Sequence, residues 1–260
     1  MRQGNILITV PELLDILAVP HMQAAEDLDY ILKKGSDFGS ASQGQARYLV
    51  QTIQFKNWLH SPRSELLIVD ANLDFHQTDK ISPISVIGAT LSLSVMKLQP
   101  AISLHFFCGQ HLGGDDMLRG PLGLLRSLIS QLLLHSNILG HLNVDFITDH
   151  VYLNELQALG LEPLCDVFLQ LIRRLSPDMT VFCIIDGISW YEQDAWDDGM
   201  HLILRSLNGM ANDPQLVPRF KVLLTSTSKC RSVEGWTMSS QRISLSTNNG
   251  DACTLSGRVF

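Results

Sequence analysis

The segment Val181-Phe-Cys-Ile-Ile-Asp186-Gly187 limits the possible folds more than any other stretch of the chain. An apolar run that closes on a single acid reads as a strand buried on both faces, the kind found in parallel sheets. Asp186 is then carried to the carboxyl edge of the sheet, where open α/β sheets bind ligands. Comparable short apolar runs occur at Glu65 to Val69, Ile102 to Phe107, Thr180 to Ile185, Phe220 to Thr225 and Gln241 to Leu245. Between them lie helical periodicities at Pro83 to Lys97, Leu118 to His135, Leu153 to Leu175 and Asp197 to Gly209. Such alternation is the signature of βαβ units, so the expected class is α/β: a mostly parallel five-stranded sheet with helices on both faces.

Ahead of the sheet, apolar spacings predict two short helices between Pro11 and Lys34, interrupted near Pro20. The Gly-, Ser- and Ala-rich stretch from Gly35 to Gly44 reads as a linker, and Gln45 to His60 as one more amphipathic helix closed by Ser61-Pro62. The expected organisation is a helical segment and linker over residues 1–44 and an α/β domain over 45–260.

At 260 residues, 45% hydrophobic and 17% charged, the chain can bury a large core and is too apolar to be disordered. With a net charge of −7 and no run among its 19 basic residues, it is not built to grip nucleic acid. Cys108, Cys165, Cys183, Cys230 and Cys253 form no C-x-x-C pair and read as buried free thiols. Gly4 to Val10 is too short for a signal peptide, and no stretch has the length of a membrane span. A cytoplasmic protein with protein partners is expected.

If Glu65 to Asp70 were the strand of a phosphate-binding loop, G-x-x-x-x-G-K-[ST] should follow, because glycines let backbone N–H groups curl around phosphate. The chain instead has no glycine between Asp70 and Gly88, and Asp70, Asp74 and Asp79 put negative charge there, offset by Lys80 and His76. Ser82 before Pro83 caps a helix whose N-terminus can attract anions, or caps it and nothing more. Asp186 either caps the following turn or binds magnesium, and Glu192 is the acid that follows it, after Ser189 and Trp190. Thr225 and Ser226 at a strand end can sense a phosphate or end the strand. The histidines form no H-x-x-x-H or H-E-x-x-H pair, no G-x-S-x-G elbow occurs, and Gly109 to Asp116 reads as a plain connection.

In order along the chain, Phe55-Lys-Asn-Trp58-Leu59, Glu65-Leu-Leu-Ile-Val-Asp70, Ser82-Pro-Ile-Ser, His105-Phe-Phe-Cys108, Gly123-Leu-Leu-Arg126-Ser-Leu-Ile-Ser-Gln131-Leu, Val181 to Gly187 and Lys221-Val-Leu-Leu-Thr225-Ser226 resemble the NACHT-type STAND P-loop NTPases. The likeness is to the fungal group with a nephrocystin-3-like N-terminal NTPase region, and covers about residues 50 to 230. It implies a P-loop NTPase fold with ATP or GTP and Mg as ligands. Asp186 would then be the Walker B aspartate linked to magnesium, Thr225 and Ser226 the first sensor, and Lys80 and Ser82 the residues nearest the Walker A positions. The chain departs from the pattern in lacking the Walker A glycines, in lacking an acidic pair after Asp186, and in having Thr227 where the family usually has Arg. The expectation is a non-catalytic, NTPase-like interaction or regulatory module, an accessory protein of a fungal pathway. The alternative is a divergent ATP- or GTP-binding STAND-type NTPase using Asp186 and Lys80.

Overall fold

A computed structural model describes residues 8–38, 42–73, 80–135, 142–231, 233 and 238–245. Five strands, β1 (Glu65–Asp70), β2 (Ala101–Phe107), β3 (Thr180–Asp186), β4 (Arg219–Ser226) and β5 (Arg242–Ser244), form one sheet in the order β2-β3-β4-β1-β5. Every pairing is parallel, with Val69 opposite Thr225 and Ile243, and Cys183 opposite Leu104 and Val222. The α/β class and the parallel five-stranded sheet with helices on both faces, expected from the apolar runs, are what the chain forms.

Alternate residues of each strand serve opposite faces, as the two-residue period of a strand requires. Leu66, Ile68, Val181, Cys183, Ile185, Val222 and Leu224 join one core with α1 (Val10–Leu17), α6 (Gly120–Leu134), α8 (Leu161–Arg173) and α9 (Asp197–Ala211). Leu67, Val69, Phe182, Ile184 and Leu223 face the other side, under α3 (Ser42–Gln51), α4 (Ile53–His60) and α5 (Pro83–Val95), while α2 (Gln23–Lys34) packs on α5 and β2. Because both faces are covered, the strands carry continuous apolar sequence.

Two helical expectations are divided by local chemistry. The helix expected from Gln45 to His60 is broken at Thr52, which turns extended and caps α4 by accepting from the Phe55 N–H at 3.3 Å. The helix expected from Leu153 to Leu175 is α7 (His150–Gln157) followed by α8, parted where Leu159 takes a positive φ before Gly160. The stretch read as a linker holds a 3-10 turn, Gly35–Asp37, and the start of α3 at Ser42.

Polar side chains fasten the periphery. Arg126, buried in α6, donates from Nε to the Leu17 carbonyl at 2.6 Å and from its terminal nitrogens to Ala18 and Met117, closing the C-terminal end of α1. Gln131, also on α6, accepts from the His105 N–H at 3.0 Å and donates to its carbonyl at 2.7 Å, which gives the edge strand β2 a side-chain substitute for a neighbouring strand. The buried Lys221 ammonium donates to the Trp58 carbonyl at 2.8 Å, tying β4 to the end of α4.

Candidate functional site

The chain leaves β1 for α5 on one face of the sheet and leaves β3 for α9 on the other, so the carboxyl ends of β1, β4 and β3 border the crevice where such sheets bind ligands. Asp70, Ser226, Thr225 and Asp186 stand at those ends.

Asp186 is buried and its oxygens are met by hydroxyls. Thr225 donates to it from Oγ1, and Ser85 in the first turn of α5 hydrogen-bonds to it. Ser85 belongs in turn to the cap of α5: its N–H donates to Ser82 Oγ at 3.1 Å, and its Oγ accepts from the Ser82 N–H at 2.9 Å. The Gly187 N–H donates to Thr225 Oγ1 at 3.3 Å. A chain of short side chains thus runs from the α5 cap through Asp186 to the end of β4. Burial raises the Asp186 pKa to about 6, and the Thr225 and Ser85 hydrogen bonds pull against that rise. Hydroxyls stabilise a carboxylate but bring no opposite charge, so the group keeps much of its desolvation penalty. The neighbouring Cys108 thiol is pushed well above its usual pKa by burial and by the Asp186 charge, which leaves it un-ionised and a poor nucleophile.

Two glycines allow this packing. Gly187 has a φ of +72°, and a Cβ there would stand 2.8 Å from the Trp190 ring. At Gly109, in the turn after β2, a Cβ would come within 2.3 Å of the Lys80 carbonyl oxygen. The return to α5 is therefore laid directly on the turn following β2.

Of the residues singled out in the sequence, Asp186 and Thr225 meet directly, and Ser82 joins them through Ser85. Ser226 is buried, and its Oγ has no hydrogen-bond partner among the described residues. The exposed Lys80 lines a separate cavity of about 540 Å³ with Tyr30, Lys34, Asp37, Phe38, Ile81, Gly109 and Gln110, in which Asp186 takes no part. Asp74, His76 and Asp79 lie outside the described residues. Glu192 is committed elsewhere: Oε1 accepts from the Arg231 N–H at 2.6 Å and from Cys230 Sγ at 3.1 Å.

Magnesium and a nucleotide triphosphate fit this edge poorly. Asp186 is a hard oxygen ligand of the right type, but among the described residues no group of three or more His, Cys, Asp or Glu side chains is placed to hold a metal. Thr225 and Ser85 hydrogen-bond to its carboxyl group, and Lys80 lines another cavity.

Asp70, expected to lie as unfavourable charge beside a phosphate, is neutralised within the fold. Arg242 Nε reaches it at 2.5 Å, and the Cys230 N–H donates to it at 3.0 Å. Arg242 also donates to the Cys230 carbonyl at 2.8 Å, so this latch holds β5 and the loop before it to β1. The sequence reading missed Ser85, Arg242 and His111. For Ser85 the signal was the Ser-x-x-Ser spacing of a reciprocal cap.

His111 is the most constrained ionisable group beside the edge. Its Nε2 lies 3.0 Å from Asp27 on α2 and its Nδ1 lies 2.9 Å from Asp116, with the ring stacked on Phe106. Ionised carboxylates only accept, so both ring nitrogens carry protons and the ring is an imidazolium. Burial pulls the His111 pKa down, but the hydrogen bonds and charges of Asp27 and Asp116 outweigh it and the net shift is upward.

No protein-family model, curated protein or solved structure matches the chain.

Proposed function

We propose that the chain is a non-catalytic member of the P-loop NTPase-like folds, resembling the fungal NACHT-type STAND proteins, that works by binding other proteins. The observation carrying this reading is the internal use of Asp186. Its carboxyl group ties the α5 cap to the ends of β3 and β4 through Ser85 and Thr225, where a working NTPase would turn the same group toward magnesium and water. The placement of β1 inside the sheet, with the α5 cap beside β3, supports the NTPase-like part of the reading. Lys80 laid against Gly109 supports the loss of catalysis, since a phosphate cradle needs an open glycine-rich turn at that exit. A role as accessory protein in a fungal pathway rests on the resemblance alone.

A second reading, nucleotide binding without hydrolysis, is favoured by the cavity beside Lys80, where Tyr30 and Phe38 add rings for stacking on a base and Lys34, paired with the lining Asp37 at 3.3 Å, adds a second ammonium.

Thermal unfolding with millimolar Mg-ATP and Mg-GTP separates the two. The interaction-module reading expects no rise in Tm for wild type, Lys80→Ala or Asp186→Asn. A ligand present at a hundredfold excess over its Kd would add about 2.7 kcal/mol. Such a gain, lost in Lys80→Ala and kept in Asp186→Asn, would establish the second reading in place of the first.

A further inference from the structure

The cavity of about 540 Å³ beside Lys80 lies within the size range of small-molecule sites. Four separate parts of the chain wall it: Tyr30 and Lys34 of α2, Asp37 and Phe38 just after that helix, Lys80 before α5, and Gln110 in the turn after β2. Contacts within the fold already hold these parts together. The Gln110 amide donates to the Asp27 carbonyl of α2 at 3.2 Å, Gly109 lies directly on the Lys80 backbone, and Ile31 of α2 shares a small core with Ile81 and Phe107. A ligand entering such a cavity has little of the chain left to order.

The charges lining the cavity do not cancel. Lys34 Nζ lies 3.3 Å from Asp37 Oδ2, whereas among the described residues no hydrogen bond or ion pair reaches the Lys80 ammonium. Two ammonium groups against one carboxylate leave one unit of positive charge. The groups concerned are open to a ligand: Lys80 is exposed, Tyr30 is 49% exposed, and the Lys34 side chain is 48% exposed. The rings of Tyr30 and Phe38 supply the apolar part of the lining.

We propose that this cavity binds an aromatic monocarboxylate, with its ring against Tyr30 and Phe38 and its carboxylate on the Lys80 ammonium. A single negative charge matches the single uncompensated ammonium, and a carboxylate accepts the hydrogen bonds that an ammonium can only donate. A flat ring gains from the two lining rings through stacked or edge-to-face contact, which a saturated ring of similar size does not make. A triphosphate brings several negative charges, and Asp37 would face the surplus. The inference therefore goes beyond the nucleotide reading of the same cavity and does not rest on it.

Calorimetric titration of the full chain at neutral pH with 2-naphthoate, with its uncharged analogue 2-naphthol and with the saturated decahydro-2-naphthoate tests this. Naphthoate is expected to bind saturably, and each analogue about fivefold more weakly, one for want of the charge and the other for want of the ring. Lys80→Met, at an exposed position where no partner is lost, should weaken naphthoate about fivefold and leave naphthol unchanged. Asp37→Asn should do the opposite, strengthening naphthoate about threefold by releasing Lys34 from its ion pair. Absence of saturable naphthoate binding, either analogue binding equally well, or a naphthoate affinity unmoved by Lys80→Met or by Asp37→Asn would each overturn the proposal. Mg-ATP displacing naphthoate at equal concentration would also overturn it, and would establish the nucleotide reading of the cavity instead.

Discussion

Asp186 shows how a single carboxyl group can change its physical role without moving. At a sheet's carboxyl edge, water and a cation would hold such a group ionised; here burial raises its pKa to about 6 against the opposing pull of the Thr225 and Ser85 hydroxyls. The folded state then holds the proton more tightly than the unfolded chain, whose aspartates titrate near pH 3.9. The group's contribution is therefore full below about pH 4 and is lost as pH rises through about 6. Asp186→Asn keeps an acceptor for Thr225 and Ser85 and removes the buried charge. It should raise stability at pH 7 by about 1–3 kcal/mol and flatten the slope of stability between about pH 4 and 6. Urea unfolding of both proteins across that range measures the effect. A variant less stable at pH 7 would mean that the carboxylate form is needed in the fold.

Among the elements, α2 owes its position to charge as much as to apolar contact. Leu28 and Ile31 pack toward Phe107, and Asp27 holds the imidazolium of His111. The groups facing that ring are Asp27, Asp116 and the Phe106 ring, and Tyr191 hydroxyl donates to the His111 carbonyl at 3.3 Å. Since the His111 pKa is raised by folding, its contribution is present below about pH 6.5 and lost as pH climbs through the higher folded value. Asp27→Asn should cost about 2–4 kcal/mol near pH 6, with the gap to wild type narrowing in alkaline buffer. Hydrogen exchange should show α2 amides losing protection before those of β3.

This arrangement also marks the reach of sequence reading. The strands were legible because strands covered on both faces are written as unbroken apolar runs, and Asp186 because it ends the clearest one. Helix breaks at Thr52 and Leu159 were not, since a threonine or leucine between good helix formers gives a weak local signal that tertiary packing decides. Arg242 lies 172 residues from Asp70, and Asp27 lies 84 residues from His111, beyond any periodicity. The roles of Asp186 and Ser82 were left between ligand and cap because spacing cannot say where an oxygen's hydrogen bonds go.

For the molecule as a whole, the two sheet edges are finished differently: β5 is only three residues long, whereas β2 is a full strand. Short edges discourage pairing by length, but a long one must be blocked by other means. The Gln131 amide supplies the block by meeting both backbone groups of His105. Gln131→Leu should cost about 1–3 kcal/mol by stranding those groups. It should also speed the growth of thioflavin-binding aggregates at a temperature where both proteins remain mostly folded. What fastens one helix to one strand would then also keep neighbouring copies of the chain from stacking into fibres, a safeguard against self-templating supplied by a single amide.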